Sequence, residues 1–349
     1  MVIKLPDYEN IYSKCKNCDE FLSLFNQEDL LSFLSYCTKT MEIYSPIHRV
    51  VYENITVDVK RDDLIDPYIS GNKYRKLKYL LKKAASLDKR HLVTFGGAYS
   101  NHILATAAAA ARFDFKSTAF VRGEAVENPI LFLSGLFGMR TIFTDRTAYR
   151  DKQTLFNQYF GEDPEAFFIG EGGASAEAVN GCAEIIDEVC VQSPLAYDHI
   201  FCAAGTGTTA AGLLRGIRRC SLPTELHIVP VLKDSAFIYH EIIRNEKNDN
   251  GLCLHSDYHF GGYAKTTPEL IRFIKAFTRK TGLLIDHVYT AKVFYALFSL
   301  IKEKKISKDA RILVLHTGGL IGLLGLKLPT TLQGEDGSGI NFPGEIMER

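Results

Sequence analysis

The chain has 349 residues, 41 basic and 41 acidic side chains, and a formal net charge of zero. Its length predicts about two domains, and the balanced charge argues against nucleic-acid binding, which requires a basic excess. The start MVIKLPDYEN carries no apolar targeting segment, and the most apolar run, residues 103–111, is too short to cross a bilayer. We therefore expect a cytoplasmic protein that binds neither nucleic acid nor membrane.

Eight cysteines are scattered along the chain. This usage fits a reducing compartment better than a disulfide framework. Cys15 and Cys18 form a C-x-x-C pair, but no second pair and no His-x-x-x-His follows to complete a zinc site. We expect ordinary thiols here, with a metal or redox role as the less favoured alternative, and we predict no metal site in the chain.

The first segments predict an extension, two strands and a helix. Residues 1–45 read as a helical extension without evident chemistry, and the alternating apolar residues from Val50 to Val59 predict paired strands. A helix is then predicted from Ser70 to Leu87. Ser70 is a good N-cap, and a proline-free run of helix formers follows it.

Lys73 is the most informative residue of this helix. At helical spacing it shares a face with Leu77 and Leu80, which predicts that it is the one lysine of the helix directed at the core. Burial and the helix dipole both favour its neutral amine, the form in which a lysine is a nucleophile. The alternative is a lysine whose stem covers apolar surface while its amine reaches water. Lys76, one turn on, would lower the pKa of Lys73 by repulsion, but we expect it in solvent.

Three later segments share one pattern: a short apolar strand, a small-residue loop and a helix that begins at the loop. They are HLVTF with GGAYSNH, HIFCA with AGTGTT, and RILVL with HTGG. Strands that alternate with helices predict parallel sheets covered on both faces, with ligands at the carboxyl ends of the strands. Such loops bind anions through backbone N–H groups. Gly205–Thr209 suits a phosphate, and Ser100–His102 suits a carboxylate or an oriented ring.

The second loop also allows a different function. Residues 205–210 satisfy the loose dinucleotide fingerprint G-x-G-x-x-A. An acidic residue at the end of the next strand would support it by holding a ribose hydroxyl, and Asp234 lies near that position. A nicotinamide-dependent oxidoreductase is therefore an alternative of another class.

Seven motifs occur in this order: KRDDL, GNKYRKL, TFGGAYSNH, GTGTT, FGGYAK, DHVYTAK and LHTGG. With them, the chain from about Ser45 to about Leu326 resembles the pyridoxal-phosphate enzymes of the tryptophan-synthase β fold type that include D-cysteine desulfhydrase and 1-aminocyclopropane-1-carboxylate (ACC) deaminase. The resemblance implies an α/β fold with two open, mostly parallel twisted sheets flanked by helices, and the cofactor in the cleft between them. It also implies a homodimer. The implied parts are a helical extension at 1–45, a large cofactor-binding domain at 46–85 and 185–330, an inserted small domain at 86–184, and a tail at 331–349.

The same resemblance implies which residues bind the cofactor. Lys73 matches the lysine that holds pyridoxal 5'-phosphate as a Schiff base. Asn101 matches the residue beside the phenolic oxygen, and Thr290 the residue next to the pyridine nitrogen. Lys265 and Lys292 are less favoured candidates for the Schiff base. The implied phosphate loop consists of Gly205, Thr206, Gly207, Thr208 and Thr209.

The implied substrate site surrounds the cofactor. Ser100 matches a serine that faces the substrate, and Tyr263 and Tyr289 match catalytic tyrosines, although either tyrosine could instead be a core or interface aromatic. The remaining substrate-binding candidates are Asn101, His102 and Thr317. His102 stands where some relatives have glutamine, Thr317 could merely cap a helix, and His316 could be purely structural.

Positions 290 and 317 bear on the reaction. A threonine beside the pyridine nitrogen cannot keep it protonated as a carboxylate does. Enzymes of this group that act on ACC tend to carry glutamate at the first position and leucine at the second, whereas this chain has threonine at both. The resemblance thus favours a lyase that forms pyruvate, ammonia and sulfide from D-cysteine, with Lys73 as the base for the α-proton. The alternatives are ACC deaminase, which forms α-ketobutyrate, and a protein that binds the cofactor without turnover.

Overall fold

The structure, a computed structural model, describes residue 41 and residues 43–326. The predicted tail, the pair Cys15 and Cys18, and nearly all of the predicted extension therefore lie outside the described residues. Within the described part of the chain, no helix combines the length and the apolar character that a membrane crossing demands.

Ten strands in the described chain form two sheets. In chain order they are β1 (Ile47–Tyr52), β2 (Ile55–Lys60), β3 (His91–Gly97), β4 (Lys116–Arg122), β5 (Arg140–Thr144), β6 (Ala166–Ile169), β7 (His199–Ala204), β8 (Glu225–Pro230), β9 (Leu252–Leu254) and β10 (Ile312–Leu315). The larger sheet has the order β1-β2-β10-β7-β8-β9, and the smaller has the order β5-β4-β3-β6. Only β1 and β2 pair antiparallel among these strands, so the predicted α/β class with two mostly parallel sheets is confirmed.

Helices connect the strands, as parallel pairing requires. In chain order the described helices are α1 (Asn72–Ser86), α2 (Asn101–Arg112), α3 (Pro129–Leu136), α4 (Lys152–Phe160), α5 (Ala176–Gln192), α6 (Thr208–Arg219), α7 (Ala236–Glu246), α8 (Pro268–Thr281) and α9 (Thr290–Lys302). Short 3-10 helices lie at Asp62–Leu64, Ala148–Arg150, Glu171–Gly173, Ser256–His259 and Leu320–Gly325.

Strand β7 shows how helices cover both faces of the larger sheet. Its side chains alternate, so Phe201 packs into one core with residues of α8 and α9, and Ile200 packs into a second core with residues of α5 and α6. A strand buried on both faces reads as a continuous apolar run, which HIFCA does.

Helix α1 lies between the two sheets. Its apolar face, including Leu77 and Leu80, shares a core with Leu92 of β3 and Ala109 of α2. Its opposite side packs closely on α5, where a Cβ on Gly181 would lie 2.0 Å from the carbonyl oxygen of Arg75. The start of α1 is therefore held at the junction of the sheets, where the strands of both end.

Candidate active site

A cavity of about 840 Å³ lies at this junction, and Lys73 lines it. The carboxyl ends of β3, β4 and β7 contribute to its walls. Lys73 is half-buried, and no described carboxylate forms an ion pair with its amine. Its pKa is lowered to about 7, mainly because burial removes the hydration of the ammonium form and also because Lys76 repels it. The neutral amine predicted for Lys73 is thus available near neutral pH.

The prediction that Lys73 is the only lysine of α1 directed inward is wrong. Lys76 is 2 % exposed, lines the same cavity, and donates to the carbonyl oxygen of Gly172 at 3.2 Å. The loop after β6, which contains Gly172, covers the side of α1 that the sequence pattern leaves to solvent. The expectation that Lys76 lies in solvent is therefore wrong, and the less favoured alternative applies, since Lys76 lowers the pKa of Lys73 by repulsion.

The start of α1 is fixed by a loop contact, so the predicted cap by Ser70 is wrong. The N-cap is Gly71, with φ of 59°, and the Ser70 hydroxyl instead accepts from the backbone N–H of Gly319 at 3.4 Å. A Cβ on Gly71 would lie 1.9 Å from the carbonyl oxygen of Thr317, so only glycine allows this approach. The contact places the loop after β10 against the helix that carries Lys73.

Thr317 lies on the cavity wall. The following 3-10 helix has Gly319 as its N-cap and no side-chain cap, so the alternative that Thr317 caps a helix is wrong. His316 is buried outside the lining. Its Nε2 lies 2.8 Å from the carbonyl oxygen of Leu284, and its Nδ1 accepts from the N–H of Gly318 at 3.2 Å. These contacts fit the purely structural role that the sequence allowed for His316.

The loop Gly205–Thr209 presents donors to the cavity. Gly207, with φ of 79°, is the N-cap of α6 and leaves the first backbone N–H groups of that helix without a side-chain cap. The Thr206 and Thr208 hydroxyls lie 3.2 Å apart, and Thr209 accepts from Asn72 Nδ2 at 3.0 Å. N–H groups at a helix start, hydroxyls and the nearby Lys76 ammonium are a donor set suited to a phosphate.

Tyr289 forms another wall. A Cβ on Gly205 would lie 3.4 Å from its ring, so the bare glycine lets the ring lie against the loop. Tyr263, at the cavity mouth and 43 % exposed, meets this ring edge-on with the centroids 6.2 Å apart. Burial and the neighbouring Tyr263 raise the pKa of Tyr289 well above its usual value. Both tyrosines line the cavity, which is where the sequence predicts them.

Ser100, Asn101 and His102 line the cavity at the start of α2. The Ser100 hydroxyl accepts from the N–H of His102 at 3.3 Å, and a Cβ on Gly319 would lie 2.5 Å from Asn101 Nδ2. His102 is 1 % exposed, its Nε2 lies 2.9 Å from the Thr94 hydroxyl, and its buried Nδ1 has no partner among the described residues. Burial, followed by the charges of Lys73 and Lys76, lowers its pKa well below the usual value, so its ring is neutral.

Thr290 and Thr208 are the two predicted site residues that do not line the cavity in the described chain, and Thr290 has no place in the phosphate loop. Thr290 is 1 % exposed, and both its N–H and its hydroxyl donate to the carboxylate of Asp286 at 2.8 Å. Asp286 also accepts from the N–H groups of Val288 and Tyr289 at 2.9 Å each. Sequence reasoning missed this organising role, although an aspartate just before a helix is a typical acceptor for backbone N–H groups.

The less favoured Schiff-base lysines and the aspartate of the dinucleotide alternative lie outside the cavity lining. Lys292 donates to the carbonyl oxygens of His259 and Gly262, at 2.8 Å each, and Lys265 is exposed. Neither lysine lines the cavity. Asp234, which the dinucleotide alternative requires, is exposed and accepts from the N–H of Ala236 at 3.1 Å, away from the lining.

Three charged residues at the cavity mouth were not predicted. Arg122 ends β4 in register with Gly97, Arg146 follows β5, and Glu171 follows β6. All three line the cavity. They could have been found from the rule that ligands gather at the carboxyl ends of parallel strands, because each stands directly after an apolar strand.

Comparisons with known proteins agree with this geometry. A family described as pyridoxal-phosphate dependent enzyme matches residues 46–318. The D-cysteine desulfhydrase of Yersinia enterocolitica is 27 % identical over 85 % of this chain and 95 % of its own length. The mitochondrial bifunctional D-cysteine desulfhydrase/1-aminocyclopropane-1-carboxylate deaminase of Arabidopsis thaliana is 29 % identical over 76 % of this chain and 72 % of its own. The crystal structure of an ACC deaminase homologue superposes with a TM-score of 0.72 at 27 % identity, over 83 % of this chain and 95 % of that one.

Proposed function

The chain belongs to the family of pyridoxal-phosphate dependent enzymes, and we propose that it is a lyase that removes the β-substituent of a small amino acid. D-Cysteine is the proposed substrate, and with water it yields pyruvate, ammonia and hydrogen sulfide. The observation that carries this proposal is the unpaired amine of Lys73, which faces a cavity that also holds an anion-binding loop.

The cavity residues fit pyridoxal 5'-phosphate. Lys73 offers an unprotonated amine for its aldehyde, Gly205–Thr209 offers N–H and hydroxyl donors for its phosphate, and Tyr289 offers an aromatic wall. When bound, the cofactor supplies an electron-withdrawing ring that stabilises negative charge at the α-carbon of an amino acid. Membership of the family makes the nicotinamide alternative unnecessary, and Asp234 gives it no support.

We assign the remaining roles from the chemistry of each group. Lys73, with its pKa near 7, is the base for the α-proton. The hydroxyl of Ser100 and the amide of Asn101 orient the substrate carboxylate from the start of α2. Tyr289 stays protonated at neutral pH because its pKa is raised, so its hydroxyl acts as a donor and not as a base. His102, neutral and buried beside them, is the further substrate-side contact.

The choice of D-cysteine over ACC depends on what surrounds the cavity. Glu171, at the mouth, is the one carboxylate among the described lining residues. The Thr290 hydroxyl donates to Asp286 and does not line the cavity. The preference for D-cysteine over ACC therefore depends on Thr317, which lies on the cavity wall. A cavity whose inner wall lacks a carboxylate suits a substrate with a readily departing thiolate better than an unactivated ring. ACC deaminase stays the second candidate, because that activity is named for both the Arabidopsis relative and the structural neighbour.

The test is an assay of the purified holoenzyme with ACC and with both enantiomers of cysteine and serine. We expect the fastest keto-acid release, together with sulfide, from D-cysteine. Faster release of α-ketobutyrate from ACC would replace D-cysteine by the second candidate. A yellow protein that turns over none of these compounds would instead favour cofactor binding without catalysis.

We also propose that the protein is a cytoplasmic homodimer. The balanced composition and the resemblance of the chain support this proposal. Light scattering on the eluted peak of a sizing column tests the dimer, because the mass of one chain is 39.1 kDa.

A further inference from the structure

A cluster of histidines lies at the end of the larger sheet that is remote from the cavity. His199 begins β7 and pairs in register with Glu225, which begins β8. His227 follows Glu225 by two residues on the same strand, so both point to one face of the sheet. The register thus brings together three possible metal ligands from strands whose histidines are 28 residues apart in sequence.

The distances within this cluster match those of a single metal ion. His199 Nδ1 lies 3.0 Å from His227 Nε2 and 3.3 Å from Glu225 Oε2, and the latter two atoms are 3.6 Å apart. Ligand atoms bound to one tetrahedral zinc ion at its usual bond lengths are separated by about 3.3 Å. The three observed distances bracket this value, so one ion at ordinary zinc distances reaches all three atoms.

We propose that His199, Glu225 and His227 bind one Zn²⁺ ion. The side chain of His227 is 6 % exposed and that of Glu225 is 54 % exposed, so the site is closed on the protein side and open to solvent on the other. A water molecule completes the tetrahedron from the open side. Two nitrogens and one carboxylate oxygen are a ligand set typical of zinc.

The surroundings of His227 prepare it for this role. Its Nδ1 lies 2.9 Å from His255 Nε2, so an Nδ1–H that donates to His255 leaves the Nε2 lone pair free for the metal. The two rings are stacked, 5.2 Å apart and within 6° of parallel.

Hydrogen bonds alone satisfy this cluster less well. A chain from His199 through His227 to His255 accounts for two of the short distances. However, His199 Nδ1 then has at most one proton to serve both His227 Nε2 and the Glu225 carboxylate. A divalent cation satisfies the two lone pairs and the negative charge together.

The ion would cross-link β7 and β8 without contacting the cavity. Five residues of β7 lie between His199 and the loop Gly205–Thr209, so the strand rises by roughly 20 Å from His199 to Gly205 at about 3.3 Å per residue. The proposed site is therefore structural and independent of the proposed lyase activity. Zinc should raise the melting temperature of the holoenzyme and leave its turnover unchanged.

The experiment uses the full-length holoenzyme after removal of any affinity tag. The protein is equilibrated with zinc chloride and desalted, and its zinc content is measured by plasma mass spectrometry. The variants are E225Q, at a side chain that is 54 % exposed, and H199Q, at a side chain that is 19 % exposed and is replaced by a polar residue of similar size. The matched control is H240Q, an exposed histidine on α7 outside the cluster.

We expect one zinc per chain in the wild type and in H240Q, and none in H199Q or E225Q. His255→Phe preserves the stacked ring but removes the acceptor, so it should weaken zinc binding about 10- to 100-fold. A wild type without zinc overturns the proposal. Retention of one zinc by H199Q and E225Q overturns it as well, since the ion would then lie elsewhere, for example at Cys15 and Cys18.

Discussion

Helix α1 carries buried cations on two sides, and the pKa values of these cations are shifted in opposite directions on the two sides. Behind the helix, Arg75 is fully buried and pairs with Asp62 at 2.8 Å and with Glu188 at 2.9 Å. Burial alone would lower the pKa of Arg75, but the two carboxylates raise it. In front of the helix, Lys73 and Lys76 face the cavity without a carboxylate partner in the described part of the chain, and their pKa values are lowered.

The comparison distinguishes buried cations that stabilise the fold from buried amines that can take part in a reaction. Lys60 is intermediate, because it is buried and shares Glu188 with Arg75 at 2.7 Å, yet burial still lowers its pKa. A buried cation with enough carboxylates stays charged and stabilises the fold, and its loss leaves anions unpaired. A buried lysine without them is shifted toward its neutral amine, which is a nucleophile and a base.

The largest expected effect comes from Lys73→Ala. Keto-acid release should fall by at least about 1,000-fold, since both the base and the attachment point of the cofactor are lost. The melting temperature of the cofactor-free protein should not fall, because the removed amine has no ionic partner among the described residues. Borohydride reduction followed by peptide mapping should find no cofactor on the chain. Lys78→Ala, on the same helix but paired with Glu184 at 3.0 Å, is the control and should stay active. A cofactor still fixed to the K73A protein would refute the assignment of Lys73.

Arg75→Met should have the reverse profile. It leaves Asp62 and Glu188 buried without their cation, and we expect the free energy of unfolding to fall by about 3–5 kcal/mol. The folded fraction should keep its turnover. Urea denaturation of the holoenzyme measures the first quantity.

The matched control for this variant is Arg49→Met. Arg49 pairs with Asp58 at 3.0 Å, but its side chain is 71 % exposed, so its loss should change the free energy of unfolding far less than the loss of Arg75 does. Equal losses in the two variants would mean that burial does not distinguish these ion pairs.

The sequence predicted the residues on the cavity side of α1 better than the ion pairs behind the helix. Lys73, the loop Gly205–Thr209 and the start of α2 lie in short contiguous motifs, where local spacing determines the geometry. The ion pair between Arg75 and Glu188 joins residues 113 apart in sequence, so no local pattern predicts it.

The other misplaced residues have a similar cause. Ser70 and Lys76 are each bound by a partner that tertiary packing supplies, respectively Gly319 and Gly172. Thr290 is bound by Asp286, four residues before it, a local contact that the sequence could have shown. Propensity indicates what a side chain can do, whereas the packed neighbours decide which option it takes. The same holds for the histidine cluster, which depends on the register between β7 and β8.

Lys76→Met tests the repulsion between Lys76 and Lys73 on the cavity side of α1. The charge of Lys76 contributes to the lowered pKa of Lys73, so its removal should raise that pKa and leave less neutral amine at neutral pH. Cofactor-free protein should then take up pyridoxal phosphate severalfold more slowly near neutrality, and the midpoint of the pH dependence should move to higher pH. The yellow absorbance after mixing measures the rate. An unchanged midpoint with slower uptake at every pH would mean that Lys76 acts on the phosphate alone.

The smallest effect is expected from exposed cations that form no ion pair with the described residues. Arg122 and Arg146 line the cavity mouth, and both are exposed. In the double variant R122Q/R146Q, KM for the amino-acid substrate should rise by less than about tenfold at low salt, while kcat stays constant, because these charges attract the substrate carboxylate without contacting the reacting atoms.

Added salt should remove this difference in KM, since water and ions screen exposed charges. Arg140→Gln is the control, because Arg140 is exposed at the opposite end of β5, and it should change neither quantity. A salt-independent loss of kcat in the double variant would place the arginines inside the reacting site. Burial would then not distinguish the cations of this cavity that act in the reaction from those that only attract the substrate.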